Sequence, residues 1–384
     1  MEVKQVYDFV NKAVQQAIGE TAIIEEDLSN VVEVGDAIFN ANALDKYVDA
    51  LVNHIGKCIF VTRPYRGVLA NLQMDAWEFG SVLEKITMKM PKAEENETWE
   101  LTDGATYDEN QFYQPKVTAK FYNKMTTFEV PISITEKQVK QSFTNATQLN
   151  SFVSMIFNAV ENSMTIKTEE LSRRALNNII GETMYDFYGS GSQTASSGTR
   201  AVNLLYLYNQ ITPTPITASD ALYDENFLKF ASYTMALYID RLKSMSVLFN
   251  VGGEERFTPR DLLHVVMLTN FAKASDMYLQ SDTFHKELVS LPNYESIPYF
   301  QGTGTDYEFD NVSKIKIKTA SGNTIEINGV VGVMFDRDAV AINNFNKRTT
   351  SKWNAKAEFT NYWNKEDARY FNDLNENCVV FFIA

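Results

Sequence analysis

The sequence predicts a mixed α+β protein without a regular βαβ alternation. Two observations carry this prediction: some segments repeat apolar residues at the helical spacing of three and four, whereas others alternate apolar and polar residues with a period of two. The 384 residues are 45% apolar and 22% charged. This composition supplies enough apolar side chains for a buried core and excludes disorder as the main state.

The net charge and the apolar runs restrict the partners. Asp and Glu number 49 against 35 Lys and Arg, which gives a formal net charge of -14. Tight nucleic-acid binding rests mainly on clustered cations, so we do not expect that function. The longest apolar runs, such as the run from Leu262 to Leu268, are shorter than the roughly 18 residues of a membrane span, and the N-terminus lacks a signal-peptide core. We therefore expect a soluble protein made in a cytoplasm, with no membrane partner, in which Cys58 and Cys378 stay reduced.

The apolar pattern in the first half of the chain predicts helices separated by a long two-stranded segment. Two amphipathic helices end at Gly19 and Gly56. From Gly80 to Thr135 the period changes to two, with an acidic, polar tip in the middle of the segment. Since an isolated hairpin of that length is marginally stable in water, we expect it to lie against another element. A long helix then runs from Leu149 to Ile180 and ends at Gly181.

The second half predicts a flexible loop from Gly189 to Gly198, followed by mixed helices and strands. The predicted helices are Phe227 to Met245 and Asn270 to Val289. The predicted strands are His264 to Leu268, Lys314 to Lys318, Thr324 to Ile327, Val330 to Phe335 and the closing segment Cys378 to Ala384. We expect the closing strand to be buried beside elements near the long helix.

Motifs for catalysis or metal binding are weak. His54, His264 and His285 lack the spacing of a zinc site, so we interpret them as structural. The loop from Gly189 lacks the lysine of a phosphate-binding loop, and Ser190 lacks the frame of a hydrolase nucleophile. We therefore predict no catalytic, cofactor-binding or metal site, no cofactor and no enzymatic activity.

Acidic residues mark turns and helix starts. Asp336 and Asp338 lie at the end of a predicted strand, where we favour a turn over a metal site or an acid/base pair. A hydrolase or nucleic-acid enzyme using these two residues with His285 stays as an alternative. Asp220, Asp224 and Glu225 are typical of helix N-termini, where the helix dipole favours negative charge.

The C-terminal tail interleaves aromatic and basic residues. These are Phe345, Trp353, Phe359, Tyr362, Trp363, Tyr370 and Phe371 with Lys347, Arg348, Lys352, Lys356, Lys365 and Arg369. This pattern fits a platform for single-stranded nucleic acid, because bases stack on aromatic rings, and it also fits a packing or subunit interface. Given the acidic whole, we favour the interface.

Short strings, in their order along the chain, carry a resemblance to a known family. They include Phe249-Asn250-Val251-Gly252-Gly253, Ser281-Asp282-Thr283-Phe284-His285, Leu291-Pro292-Asn293-Tyr294-Glu295, Gly332-Val333-Met334-Phe335-Asp336-Arg337-Asp338-Ala339 and Lys356-Ala357-Glu358-Phe359-Thr360-Asn361. From about Gly80 to its end, the chain resembles the major capsid proteins of tailed double-stranded DNA bacteriophages, which have the Hong Kong 97 fold.

The resemblance implies five regions and a structural role. These are an N-terminal arm with entry helices (1–79), an extended loop (80–135), a peripheral domain with the spine helix (136–180), an axial domain (181–340) and a return to the peripheral domain (341–384). The implied function is self-assembly into the hexamers and pentamers of an icosahedral or prolate shell around double-stranded DNA. The shell would form in the bacterial host cytoplasm and become the virion capsid.

The resemblance also implies partners. Besides itself, the protein would meet a portal, a separate scaffolding protein, decoration proteins and DNA that it contacts non-specifically. Some members of the fold cross-link subunits through a lysine of the extended loop, and Lys85, Lys89 and Lys92 lie there, but no motif here identifies a partner. An encapsulin-type nanocompartment shell is the alternative on the same fold.

Overall fold

The computed structural model describes residues 11–16, 46, 69–73, 83–93, 95, 103–104, 110, 112–135, 146–189, 193, 196–281, 294–302 and 305–384. In chain order the strands are β1 (Leu83–Met88), β2 (Val117–Tyr122), β3 (Met125–Thr135), β4 (Ala201–Asn203), β5 (Leu263–Leu268), β6 (Glu295–Ile297), β7 (Ile315–Lys318), β8 (Thr324–Ile327), β9 (Val330–Asp336), β10 (Val340–Asn354), β11 (Phe359–Asn372) and β12 (Cys378–Phe382). The helices are α1 (Ala146–Tyr188), α2 (Leu204–Ile211), α3 (Ala218–Ala221), α4 (Glu225–Leu242), α5 (Thr269–Ser281) and α6 (Phe309–Val312).

The chain divides into two compact units. The first comprises residues 1–78, 125–172 and 342–369, and the second comprises 79–124, 173–341 and 370–384. The sheet of the first unit has the strand order β10-β11-β3. Strand β11 pairs antiparallel with β3, so that Phe359 lies opposite Thr135 and Arg369 opposite Met125.

The second unit is built on a five-stranded sheet with the order β4-β12-β9-β5-β6. Strand β12 runs parallel to β4 and antiparallel to β9. Apolar side chains of α4, such as Phe227 and Met235, form one buried cluster with Met267 of β5 and Phe381 of β12. The sheet therefore obtains much of its hydrophobic core from a strand close to the end of the sequence.

Helix α1 extends beyond its predicted end. It continues through Gly181 to Tyr188, and Gly189, with φ +64°, follows it. The N–H group of Gly189 donates to the carbonyl oxygen of Tyr185 at 2.7 Å, a bond typical of helices that end at a left-handed glycine. The prediction that Gly181 ends the helix is wrong, because this glycine instead leaves room for the side chain of Ile317.

The other predicted elements are found close to their predicted bounds. The strands β5, β7, β8 and β9 are confirmed, and the helix predicted from Phe227 is α4. Helix α5 covers the start of the segment predicted from Asn270, and the rest of that segment lies outside the described residues. Residues 11–16 and 46 are helical, and the remainder of the two predicted N-terminal helices also lies outside. In the part of the chain that is described, no helix has both the length and the hydropathy of a membrane span.

The tail from residue 341 onward divides between the two sheets. Strands β10 and β11 join β3, whereas β12 joins β4 and β9, which both come from the 181–340 segment. Strand β12 is nonetheless buried beside the long helix: the ring of Phe382 lies 6.2 Å from that of Tyr188 of α1. The expectation of a buried closing strand near this helix is confirmed.

Candidate interaction surface

Strands β1 and β2 form an antiparallel ribbon, in which Leu83 pairs with Tyr122 and Met88 with Val117. The predicted two-stranded excursion is thus confirmed for these strands. Because side chains alternate across a strand, one face of the ribbon carries apolar residues, with Glu84 at its edge. These residues are exposed: Ile86 by 63%, Met88 by 53%, Val117 by 58% and Phe121 by 64%. The apolar face of the ribbon therefore has no cover among the described residues.

The opposite face of the ribbon carries two lysines that bind carboxylates. The Nζ atom of Lys85 lies 2.9 Å from Oδ2 of Asp373 and 2.7 Å from Oε1 of Glu376. The Nζ atom of Lys120 lies 2.8 Å from Oδ1 of Asp373. Both acids belong to residues 373–377, which connect β11 to β12 and which we call the anchor turn. The charged face of the ribbon is thus held to the anchor turn by ion pairs, and Tyr122 on the same face packs against Phe371 of β11, with 5.0 Å between ring centroids.

The ammonium group of Lys85 is saturated with acceptors. Besides the two carboxylates, it donates to the carbonyl oxygen of Asp338 at 3.2 Å, and an ammonium group has three N–H donors. Burial lowers the pKa of Lys85, but the hydrogen bonds to Glu376 and Asp373 outweigh it, so that the pKa is raised. The lysine therefore stays charged at neutral pH.

Asp373 organises the anchor turn. Its N–H group donates to the carbonyl oxygen of Ala339 at 2.8 Å, and its Oδ1 atom accepts from the N–H group of Asn375 at 3.1 Å. Burial raises its pKa, but the hydrogen bonds from Lys120 and Lys85 outweigh that effect, and the pKa is lowered. Burial, followed by the charge of Asp373, raises the pKa of the neighbouring Tyr122 hydroxyl. Asp373 is thus an ionised carboxylate between two cations.

The anchor turn also holds a second exposed apolar group. The backbone of Ser246 bonds in both directions with that of Arg256, at 3.0 and 3.1 Å, which closes a loop. The Nε atom of Arg256 lies 3.5 Å from Oε2 of Glu376, and Gly252 donates to Leu374 at 3.0 Å. The large apolar residues exposed on this loop are Met245, Val247, Leu248 and Phe257. Sequence reasoning missed this surface, because the string from Phe249 to Gly253 entered it only as part of the family resemblance.

Three basic residues of the tail, Lys347, Arg348 and Lys365, pair with acids of the first unit. Arg348 forms a bidentate pair with Asp367, at 2.5 and 3.1 Å, and Lys365 lies 3.2 Å from Glu129. The guanidinium carbon of Arg369 lies 4.2 Å from the ring centroid of Phe345. Of the aromatic residues, Tyr362 and Phe371 are buried. Cations neutralised in this way favour the packing interpretation over a platform for nucleic acid.

The predicted turn acids have structural roles. The Oδ2 atom of Asp336 accepts from Thr258 at 2.7 Å, and Oδ1 accepts from the backbone of Asp338 at 2.9 Å. Burial raises the pKa of Asp336, and these two bonds offset part of the effect. Asp224 caps α4 by accepting from the N–H group of Phe227 at 2.6 Å. Each of these acids satisfies backbone or hydroxyl donors, as the turn interpretation requires.

The remaining candidate residues are dispersed. His264 of β5 stacks on Phe335, with 5.7 Å between ring centroids, and burial, followed by the charge of Arg337, lowers its pKa. His54, His285, Ser190 and Cys58 lie outside the described residues. Cys378 is fully buried, which raises its pKa to about 12. Among the residues whose placement is described, no three His, Cys, Asp or Glu are grouped to hold a metal ion.

Comparisons with solved structures concern the fold. A chain of the capsid structure of Staphylococcus phage Andhra superposes with a TM-score of 0.53 at 10% identity, covering 84% of this chain and 87% of that one. A chain of the structure of the head fiber and inner core protein gp22 of native bacteriophage P68 gives a TM-score of 0.52 at 11% identity, with the same coverage. The protein therefore has a mixed helix and sheet fold that resembles phage capsid structures.

Sequence comparisons give the family. The major capsid protein of Bacillus phage B103 is 23% identical over 201 residues, which are 51% of this chain and 43% of that protein, so the match spans less than half of the relative's length. The family model of the Phi29-like phage major capsid protein matches residues 8–382. A match of this extent covers both units and the ribbon. The chain therefore belongs to the Phi29-like phage major capsid proteins, which are structural components of the virion.

Proposed function

We propose that this capsid protein forms the hexamers and pentamers of a closed icosahedral or prolate shell that encloses double-stranded DNA. The observation that carries the proposal is the uncovered apolar face of the ribbon. A two-stranded ribbon is marginally stable by itself, and a contiguous exposed apolar surface marks an interaction site. In a protein that builds shells from its own copies, a neighbouring subunit is the occupant that this face fits best.

We further propose the Hong Kong 97-type division of the chain. Residues 1–79 form the N-terminal arm, 80–135 the extended loop, 136–180 the peripheral domain with the spine helix, and 181–340 the axial domain. In support, α1 is the longest helix described, and the ribbon leaves the body as a separate two-stranded element. Strands β10 and β11 return to the peripheral domain, while β12 completes the axial sheet.

The proposed partners follow from shell assembly. The packaged duplex is contacted non-specifically, and the formal charge of -14 weakens phosphate binding that would trap passing DNA. We expect a portal, a separate scaffolding protein and decoration proteins, with assembly in the host cytoplasm. The family match favours a phage capsid over the encapsulin alternative.

Deletion of Pro91 to Gln114, which removes the segment between β1 and β2 and keeps both strands, tests the role of the extended loop. The deleted chain should remain folded, with cooperative thermal unfolding, but should form no closed shells in negative-stain micrographs. Normal shells from the deletion would contradict the proposal.

A matched pair of point variants sharpens this test. Phe121→Asp places a charge on the apolar face of β2, and Thr118→Asp places the same charge on the opposite face of the same strand, where Thr118 is also exposed. Phe121→Asp should abolish shells, whereas Thr118→Asp should retain them. Equal assembly of the two variants would show that the apolar face is not the contact.

A further inference from the structure

We propose that Lys85, Lys120, Asp373 and Glu376 form an electrostatic latch that fixes the direction of the ribbon relative to the rest of the second unit. The four charges alternate in one row, from Lys120 to Asp373, to Lys85 and to Glu376, with separations of 2.7 to 2.9 Å. Both ribbon strands contribute a lysine, so the latch fixes the ribbon at two points.

The latch is largely shielded from water. The side chain of Asp373 is 1% exposed, that of Glu376 is 10% exposed and that of Lys85 is 17% exposed, whereas Lys120, at the outer end of the row, is 37% exposed. Salt screens such buried pairs much less than surface pairs, and the low local polarity strengthens each hydrogen bond. A buried carboxylate that loses its cations is strongly unfavourable, so the ribbon cannot swing away without a large penalty.

The anchor turn gives the latch a rigid base. Asp373 is bonded to Ala339, and Cys378, directly after the turn, donates to Phe249 at 2.8 Å. Arg256 extends the row of charges from Glu376 to the loop that carries Met245 and Phe257. Two exposed apolar surfaces, that of the ribbon and that of the loop, are thereby held in one geometry by the same five-residue turn.

The function of the latch follows from the different contacts of the two ribbon faces. The charged face binds within the subunit, which leaves the apolar face free and already oriented for another subunit. Ordering a segment before it binds removes the conformational entropy cost from the binding step. This role in assembly rests on the proposed function, but the latch itself is a property of the single subunit.

The test measures the direction of the ribbon by pulsed electron paramagnetic resonance. Spin labels are attached at Thr118→Cys on strand β2 of the ribbon and Glu255→Cys on the loop, both exposed positions, with Cys58 replaced by serine. Labelled chains are mixed with an excess of unlabelled chains, so that each distance is measured within one subunit. The unaltered latch should give a single narrow distance distribution.

The decisive variant is K85M/K120M/D373N. It removes both lysines together with Asp373, and Glu376 keeps Arg256, whose Nε atom lies 3.5 Å away, so no buried charge is left without a partner and the fold should be retained. The expected result is the loss of the single narrow distance. The control K116M/K124M/D261N makes the same charge changes at exposed positions and should keep it. A narrow distribution in the latch variant, equal to that of the control, would overturn the proposal.

Two further measurements distinguish a failure of the latch proposal from a failure of the proposed function. If the triple variant does not fold, Lys120→Met, in which Lys85 still neutralises Asp373, should broaden the distribution, and an unchanged distribution would overturn the latch. Shells formed by the unaltered chain test the proposed function independently. If the unaltered chain forms shells and the latch variants keep the narrow distance distribution, the latch alone is refuted. If the latch variants lose the narrow distribution and the unaltered chain forms no shells, the proposed function alone is refuted.

Discussion

The side chain of Ile317 fills the space in which Gly181 would carry a β-carbon. A β-carbon built on Gly181 would lie far closer to Cδ1 and Cγ1 of Ile317 than van der Waals contact allows. Helix α1 and the hairpin of β7 and β8 therefore approach each other at a distance that only glycine permits at this position. Asn323, which follows the turn of this hairpin, donates to the hydroxyl of Tyr185 at 2.6 Å, one helical turn beyond the glycine.

Replacing Gly181 by alanine should destabilise the protein. Overpacking costs about 1 to 3 kcal/mol, and the better helix propensity of alanine returns about 1 kcal/mol. We therefore expect a net loss of up to about 2 kcal/mol in the free energy of unfolding, measured by chemical denaturation.

The double variant with Ile317→Ala provides the control. Once Cγ1 and Cδ1 are removed, Gly181→Ala should become neutral or stabilising by about 1 kcal/mol. Strictly additive effects of the two substitutions would contradict the close approach, because residues in contact show coupling in double-mutant cycles.

Strand β12 should be indispensable to the fold. Phe381 and Phe382 are both 0% exposed, and truncating either to alanine should cost about 3 to 5 kcal/mol. Removing Val379 to Ala384 should give insoluble or unfolded chains. The matched control is Phe112→Ala, since this residue is 84% exposed and its truncation should change stability by less than about 0.5 kcal/mol. A soluble truncated chain with cooperative thermal unfolding would disprove the role of β12.

His264 should make the protein less stable in acid. Its pKa in the folded state lies below the ordinary 6.5, so the unfolded state binds more protons between the two values. Stability should thus fall as the pH drops below 6.5, and His264→Gln should reduce this decline. Arg337→Gln removes the neighbouring cation, which brings the pKa of His264 closer to its ordinary value. This variant should therefore also lose less stability in acid than the unaltered protein. Unfolding curves with the same pH dependence in all three proteins would contradict this assignment.

Lys85 and Asp373 should remain an ion pair and not condense to an amide. Condensation needs a neutral amine and a neutral acid, but the pKa of Lys85 is raised and that of Asp373 is lowered, so both stay charged near neutral pH. Intact-mass spectrometry should show no loss of a water molecule, and tryptic digestion should release no peptide pair joined through these residues. A joined pair would show that the charges are neutralised in the folded chain.

Local patterns along the sequence predicted the ribbon, the strands β5, β7, β8, β9 and β12 and the helices α1, α4 and α5, but not the two longest described strands, β10 and β11. The alternation at Ile86 and Met88 identified the ribbon, and the apolar run from Cys378 identified β12, because both signals depend on neighbours one or two residues away. The error at Gly181 has a physical reason. Glycine is a common helix stop, and only the three-dimensional approach of Ile317 shows that it is needed inside the helix.

The latch could not be predicted in the same way. Lys85 and Glu376 are 291 residues apart, and nothing near either residue distinguishes it from an ordinary surface charge. The sequence did place Lys85 in the extended segment, but its binding to the anchor turn depends on how β11 and β12 are paired. The exposed loop with Met245 and Phe257 was missed for a similar reason, since its apolar residues follow no regular period.

The strand order of the five-stranded sheet affects the kinetics of folding. Strand β12 lies between β4 and β9, and Asn203 at the end of β4 bonds to Ala384, 181 residues away. Closing so long a loop is entropically unfavourable, and contacts of this kind form late and slowly. The anchor turn enters this sheet through β12, so the lysines of the ribbon acquire their carboxylates only when this slow step is complete. In the proposed assembly, nascent chains would then expose a docking-competent ribbon only after the rest of the subunit has folded, and immature subunits would stay out of growing shells.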